Sequence, residues 1–306
     1  MNHLYPMMSK PFQVTFVMPT DGVLLREALG QFGISKRALT AIKYEGGQLL
    51  VNGVEKTVRH PLQAGDEVTV IFPIEKPSEG LLAEQGPLDI VYEDEAILII
   101  NKPAGQSTIP SREHPTGSVA NVLMHYFETI GLQSTAHIVT RLDRDTSGLM
   151  CIAKNRHIHH LMGLAQKTHD VDRMYEAIVH GHVDNDFIEV KAPIGRKDTS
   201  IIEREVRADG QFAHTDVTVL ARFMYNGEAF SHVRMKLYTG RTHQIRVHLA
   251  YLGYPLVGDG LYGGSKAFIE RHALHCVKLT YQHPVTSERC VHDIPLADDL
   301  QRFLRA

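Results

Sequence analysis

The sequence predicts an α+β protein built as a small module followed by a larger domain, and three observations carry that reading. At 306 residues the chain exceeds what one small core ordinarily encloses. Strand-forming runs closed by clear turns are mixed with helical patterns, without the regular alternation of a parallel sheet. Residues 74–86, IEKPSEGLLAEQG, mix Pro, Gly, Ser and Glu as a linker would. The expected division is an N-terminal extension (1–20), a module (21–73), a linker (74–86) and a large domain (87–306).

In the module, Leu24, Leu25, Ala28 and Leu29 recur at helical spacing, and Gly30 or Gly33 can end that helix. Ser35 can cap a second helix, whose first turn carries Lys36 and Arg37 although the helix dipole favours acids there. Asn52-Gly53 between two β-rich runs signals a two-residue hairpin turn, and Gly65-Asp66 marks the turn before EVTVIFP. The large domain opens with another hairpin around Glu93, Asp94 and Glu95. Strand-like runs follow at 148–155, 175–183 and 231–240, with helical patterns near 118–129 and 156–166.

The bulk properties narrow the function. A hydrophobic fraction of 43% and a charged fraction of 22% describe a folded chain. With a formal charge of -3, any nucleic-acid contact must come from a local basic face, for which Lys36, Arg37, Lys43, Lys56 and Arg59 are candidates. An ordinary solvated face accounts for the same five cations equally well. Cys151, Cys276 and Cys290 are too few and too scattered for a disulfide framework or a zinc site, which fits a reducing cytoplasm. Neither an export signal nor a membrane span is expected from the hydropathy pattern.

Two blocks carry chemistry. In RLDRDTSGLMCIAKN (141–155), charges interrupt a strand-forming context, and alternation along an extended chain would put Arg141, Asp143 and Asp145 on one face. Taken alone, a structural ion-pair cluster at a strand end is the better-supported reading. In LYTGRTHQIRVHLAYLGYPLVGDGLYG (237–263), Gly240 supplies a turn, Thr242 can cap a helix, and Gly253 with Pro255 can stop it. Arg246 then lies about one turn into the helix, where a buried guanidinium calls for an anion.

Together these blocks resemble the RluA family of pseudouridine synthases over residues 88–306. The family's Arg-Leu-Asp followed by Thr-Ser-Gly is present as Arg141-Leu142-Asp143 and Thr146-Ser147-Gly148. Its later motif is present as Gly240-Arg241-Thr242-His243-Gln244-Ile245-Arg246, followed by Gly258-Asp259 and Tyr262-Gly263. Lesser matches are Asn101-Lys102-Pro103-Ala104-Gly105, Tyr175, Pro193-Ile194-Gly195-Arg196 and LHCVKLTYQHP. Two departures are Thr140, where many members have histidine, and Arg173, where lysine is common. The module, through ISKRAL, VNG and LQAGDEV, resembles the small RNA-binding module of ribosomal-protein S-four type.

The resemblance implies a mixed, largely antiparallel sheet flanked by helices, and an enzyme that isomerises uridines in structured RNA. Large-subunit ribosomal RNA is the expected substrate, since members with this module commonly act there. It implies Asp143 as catalytic carboxylate, Arg246 as its ion-pair partner and Tyr175 packed against the target base. Arg141, Arg241 and His243 then face the flipped nucleotide, with Lys36 and Arg37 on more distant RNA. No cofactor, no metal and a monomeric state are expected. Breaking a glycosidic bond suits a carboxylate, and three paths are open to it: attack at C1′, attack on the base, or removal of a ribose proton.

Rival readings have less support. GDGLYG (258–263) fits G-x-G-x-x-G but follows a helix and loop instead of a first strand. The 19 histidines include no HExxH motif and no ligand-like spacing. A glycoside hydrolase using Asp143 and Asp145 leaves the RNA-binding module without a purpose. An inactive RNA-binding relative would not require Asp143, Tyr175 and Arg246 together.

Overall fold

The computed structural model describes residues 10–305; residues 1–9 of the expected N-terminal extension, and Ala306, lie outside the described residues. The first elements are β1 (Gln13–Val17), α1 (Leu25–Gln31), α2 (Lys36–Tyr44), β2 (Gln48–Val51), β3 (Val54–Glu55) and β4 (Glu67–Ile71). They form an antiparallel sheet in the order β1-β4-β2-β3, with Leu25, Leu29, Ile42, Val68 and Val70 in its core. The sheet starts before residue 21. Gln13–Val17, expected in the extension, pairs with β4 at five positions, and its alternating Val14 and Phe16 turn toward the module core.

Local signals explain the rest of the module. Gly33 (φ +78°) follows the end of α1, whereas Gly30 sits inside the helix. Ser35 Oγ accepts the Ala38 amide at 3.1 Å and caps α2. Asn52 and Gly53 both have positive φ, as the two-residue hairpin between β2 and β3 requires. The segment 74–86 contains neither helix nor strand, yet it is tied down. Glu75 bonds His137 at 2.6 Å, and Asn121 Nδ2 donates to the Leu82 carbonyl at 2.8 Å.

The large domain continues with β5 (Ile90–Glu93), β6 (Ile97–Lys102), α3 (Val119–Thr129), β7 (His137–Ile138), β8 (Ser147–Ala153), α4 (Arg156–Lys167) and β9 (Val171–His180). Next come β10 (Phe187–Lys191), β11 (Ile194–Arg196), β12 (Arg204–Val206), β13 (His214–Tyr225) and β14 (Glu228–Leu237). The chain closes with α5 (Gln244–Tyr251), β15 (Leu274–Gln282), β16 (Arg289–Asp293) and α6 (Asp298–Gln301). The central sheet runs β10-β13-β14-β9-β15-β8-β6-β5, with β16 added to β15 and β7 to β8. Only the β15–β8 pairing is parallel among the described residues. This is the mixed, largely antiparallel α+β architecture expected.

β8 is buried along its whole length, which accounts for its unbroken apolar run. Gly148, at φ +112°, lies where any Cβ would come within 2.3 Å of the Cys276 carbonyl oxygen. That close approach of β8 to β15 fixes the end of the segment carrying Asp143.

Candidate active site

The block 141–145 is not strand: β8 begins at Ser147, so the expected alternation fails and the charges sit on a loop. Arg141 and Asp143 line a cavity of about 750 Å³, and Asp145 does not. The reason is a tight turn in which the Thr146 amide donates to the Asp143 carbonyl at 3.1 Å. Three further carbonyls of this loop are gripped in series. Thr108 Oγ1 donates to Leu142 O (2.7 Å), Lys102 Nζ to Arg144 O (2.9 Å), and Arg271 Nη1 to Asp145 O (3.2 Å). Such a loop is rigid before any substrate arrives.

Lys102 is fully buried and hands its remaining two protons to the Pro103 and Gln106 carbonyls, at 2.7 and 2.8 Å. Burial pushes its ammonium down to about 7, against the opposing charges of Asp145 and Asp143. This lysine was visible in the sequence as part of Asn101-Lys102-Pro103, but a buried cation bound only to carbonyls leaves no charge pattern to find. Thr140 is equally structural: its hydroxyl accepts the Cys151 amide at 2.8 Å.

Arg246 is 8% exposed and sits in the first turn of α5. Its Nη1 reaches Asp143 Oδ2 at 3.2 Å, as expected, but its stronger partner is Asp259, held at 2.7 Å by both Nε and Nη2. Burial works against the guanidinium's charge, and the Asp259 and Asp143 carboxylates outweigh it, raising the pKa further above the ordinary arginine value. The fork on Asp259 fixes the plane of the guanidinium and leaves one edge for Asp143. Gly258 makes this possible, because a Cβ there would lie 1.9 Å from the Arg271 carbonyl oxygen.

Helix α5 is not capped by Thr242. Its N-cap is His243, in a left-handed conformation (φ +59°) with no side-chain cap. Gln244 secures the turn instead, accepting from the Arg241 amide (2.9 Å) and the Thr239 hydroxyl (2.8 Å) while donating to His214 O (3.0 Å). The strained residue thereby presents His243 to the cavity. Tyr262 accepts the Arg204 amide (3.0 Å), and its hydroxyl pairs with His243 Nδ1 at 2.8 Å. The other ring nitrogen of His243, Nε2, lies 3.7 Å from Asp143 Oδ2. Burial lowers the His243 pKa; Asp143 opposes that shift and Arg246 reinforces it.

Tyr175, on β9, is 4% exposed and lines the same cavity. Burial, with the neighbouring Cys276, raises its pKa well above the ordinary tyrosine value, so the phenol stays protonated. Arg241 lines the cavity with its Nε on Phe212 O at 2.9 Å. Arg173 also lines it, and its buried Nε has no partner among the described residues. Asp145 pairs with Arg144 at 3.1 Å.

The structure thus gathers Asp143, Tyr175, Arg246, Arg141, Arg241 and His243 at one cavity. Lys36 and Arg37 are not there. They are exposed on the first turn of α2, and Arg37 lines a separate cleft of about 1410 Å³ between the four-stranded sheet and α4. Asp259, Tyr262 and Lys102, present in the motif blocks without an assigned role, support the site through Arg246, His243 and the Asp143 loop. Among the described residues, no helix is long and apolar enough to cross a membrane.

The sequence pattern of the RNA pseudouridylate synthases matches residues 96–251, which include Asp143, Tyr175 and Arg246. The chain is 49% identical to the RNA pseudouridine synthase YjbO of Bacillus subtilis, over 92% of this chain and 98% of that protein. It is 38% identical to ribosomal large subunit pseudouridine synthase D of Pseudomonas aeruginosa, over 83% of this chain and 82% of the relative. Among solved structures, human RNA pseudouridylate synthase domain containing 1 superposes with a TM-score of 0.58 at 28% identity, covering 69% of this chain and 86% of the human one. With a rigid carboxylate loop, a forked arginine and this extent of similarity, the chain belongs to the RNA pseudouridylate synthase family.

Proposed function

We propose that this enzyme isomerises uridines of large-subunit ribosomal RNA, with Asp143 as the catalytic carboxylate. The observation that carries the assignment of Asp143 is its position at the cavity: ion-paired to Arg246 at 3.2 Å on a loop whose carbonyls are individually held. The ribosomal substrate is supported by relatives named as large-subunit synthases in Pseudomonas aeruginosa and Escherichia coli.

The target nucleotide leaves its helix and enters the cavity, since C1′ and N1 are poorly accessible in a stack. Asp143 faces the sugar and glycosidic bond, aimed by Arg246 at 3.2 Å, with His243 Nε2 nearby. Tyr175 packs against the base. Held protonated, it acts as a stacking surface and proton relay and not as a standing base. Arg141, Arg173 and Arg241, which line the cavity, offer positive charge to the flanking phosphates. The isomerisation has no net redox change, so no redox cofactor is called for.

The four-stranded unit, with its exposed Lys36 and Arg37, serves as an RNA-binding module of ribosomal-protein S-four type that places the catalytic domain. The test is to map pseudouridine in total RNA of a strain lacking this gene. Loss of a large-subunit ribosomal site is expected; loss confined to transfer RNA would overturn the substrate assignment.

A further inference from the structure

The two cavities meet on α4. His159, Gly163 and Lys167 line both the Asp143 cavity and the cleft against the four-stranded sheet. Spaced four apart, they form one ridge of the helix, about 12 Å long at the helical rise per residue. Other positions of α4 are committed to packing: Ile158 and Met162 enter the main core, and His157, at the wall of the cleft, stacks on Phe72 of the module at 4.6 Å.

Gly163 is the anomaly on that ridge. Glycine destabilises a helix interior relative to alanine, and here no structural need offsets it. Its φ is helical, and a Cβ at this position meets nothing within 4 Å. The absent side chain therefore keeps open the passage between the two cavities, the expected use of glycine where another backbone approaches closely. Cations without partners gather along the passage. Lys167 is exposed at the end of the ridge, Lys10, Arg37 and Lys76 stand in the cleft, and none of these four has an ion-pair partner among the described residues. The acids of the cleft are Glu45, Glu75 and Glu95, of which Glu75 is taken up by His137 and the Arg156 amide.

We propose that the substrate strand next to the flipped uridine runs over α4 at Gly163, its phosphates held by Lys167, and continues into the cleft toward Arg37. The inference rests on the RNA-modifying function proposed above and adds the route by which module and active site grip one strand. The helix ridge is a binding surface and touches no reacting atom.

The test compares wild type, Gly163→Leu, Lys167→Glu and, as a control on the far edge of the sheet, Lys191→Glu. RNA binding is read by titration against salt, and turnover by tritium release on ribosomal RNA fragments carrying C5-labelled uridine. Gly163→Leu should keep the native melting temperature while raising KM more than kcat falls. Lys167→Glu should do the same and reduce the log–log salt slope by about one. The control should match wild type. If Lys167→Glu and a folded Gly163→Leu both bind with wild-type affinity and salt slope, the route is wrong; should Gly163→Leu not fold, Lys167→Glu decides alone. A wild-type protein that turns over no RNA would instead overturn the proposed function, and the binding titration would still judge the route.

Discussion

Asp259 is 2% exposed and both its oxygens are spent on Arg246. Removing one partner of a buried ion pair leaves the other charge uncompensated, so Asp259→Ala should destabilise the fold by about 3 kcal/mol. It should also release Arg246 to swing fully onto Asp143, lowering kcat well beyond the stability loss. Thermal melts and turnover of the same preparation check both effects. A second residue-level consequence concerns acid. Burial pushes His272 down to about 3 and His275 and His157 down to about 4, from an ordinary value of 6.5. The unfolded chain therefore binds protons there that the folded chain refuses. Stability from these groups is fully present above about 6.5 and is lost as pH falls toward 4. The melting temperature should drop across that window, and His275→Gln should flatten the drop; a melting temperature independent of pH between 6.5 and 4 would contradict these assignments.

At the scale of elements, what the sequence disclosed and what it hid divide along physical lines. Ser35, Asn52-Gly53 and the apolar run of β8 act through neighbours a few residues away, so their helix cap, hairpin and buried strand were readable. β1 was missed although Val14 and Phe16 alternate, because one short alternating run has no local partner to announce it; its pairing lies in β4. The expected strand through Asp143 failed because Thr146 closes a turn that propensity does not show. Thr242 is a good capping residue in principle, and the Gln244 side chain overrides it by fixing the preceding turn. Asp143, Arg246 and Tyr175 were legible only through their family motifs. Lys102, Asp259 and Tyr262 stand in the motif blocks, but their contacts with Arg144, Arg246 and His243 are encoded by no spacing. Where a local signal does hold, its loss is measurable: Asn155 Oδ1 accepts the Ile158 amide at 2.9 Å and caps α4, so Asn155→Ala should cost about 1 kcal/mol of stability in a denaturant titration.

At the scale of the whole molecule, the formal charge of -3 coexists with local cations: Lys36 and Arg37 exposed on α2, Lys10 and Lys76 in the cleft, and Arg141, Arg173 and Arg241 at the Asp143 cavity. Binding should therefore be salt-sensitive despite the acidic balance. Replacing Lys36 and Arg37 together by alanine should lower the salt slope of RNA binding by about two while leaving single-turnover chemistry at saturating RNA near wild type. An unchanged slope would remove α2 from the RNA contact.

The most direct measurement of the central claim is tritium release from C5-labelled uridine in ribosomal RNA by Asp143→Asn and Asp145→Asn side by side, with RNA affinity and melting temperature followed for both. Asp143→Asn keeps the shape of the side chain and removes the anion that Arg246 holds, so release should cease while binding and folding persist. Asp145, outside the cavity and paired with Arg144, should tolerate Asn with substantial turnover. Full activity of Asp143→Asn, or a well-folded Asp145→Asn that alone is inactive, would contradict the assignment of the catalytic carboxylate to Asp143.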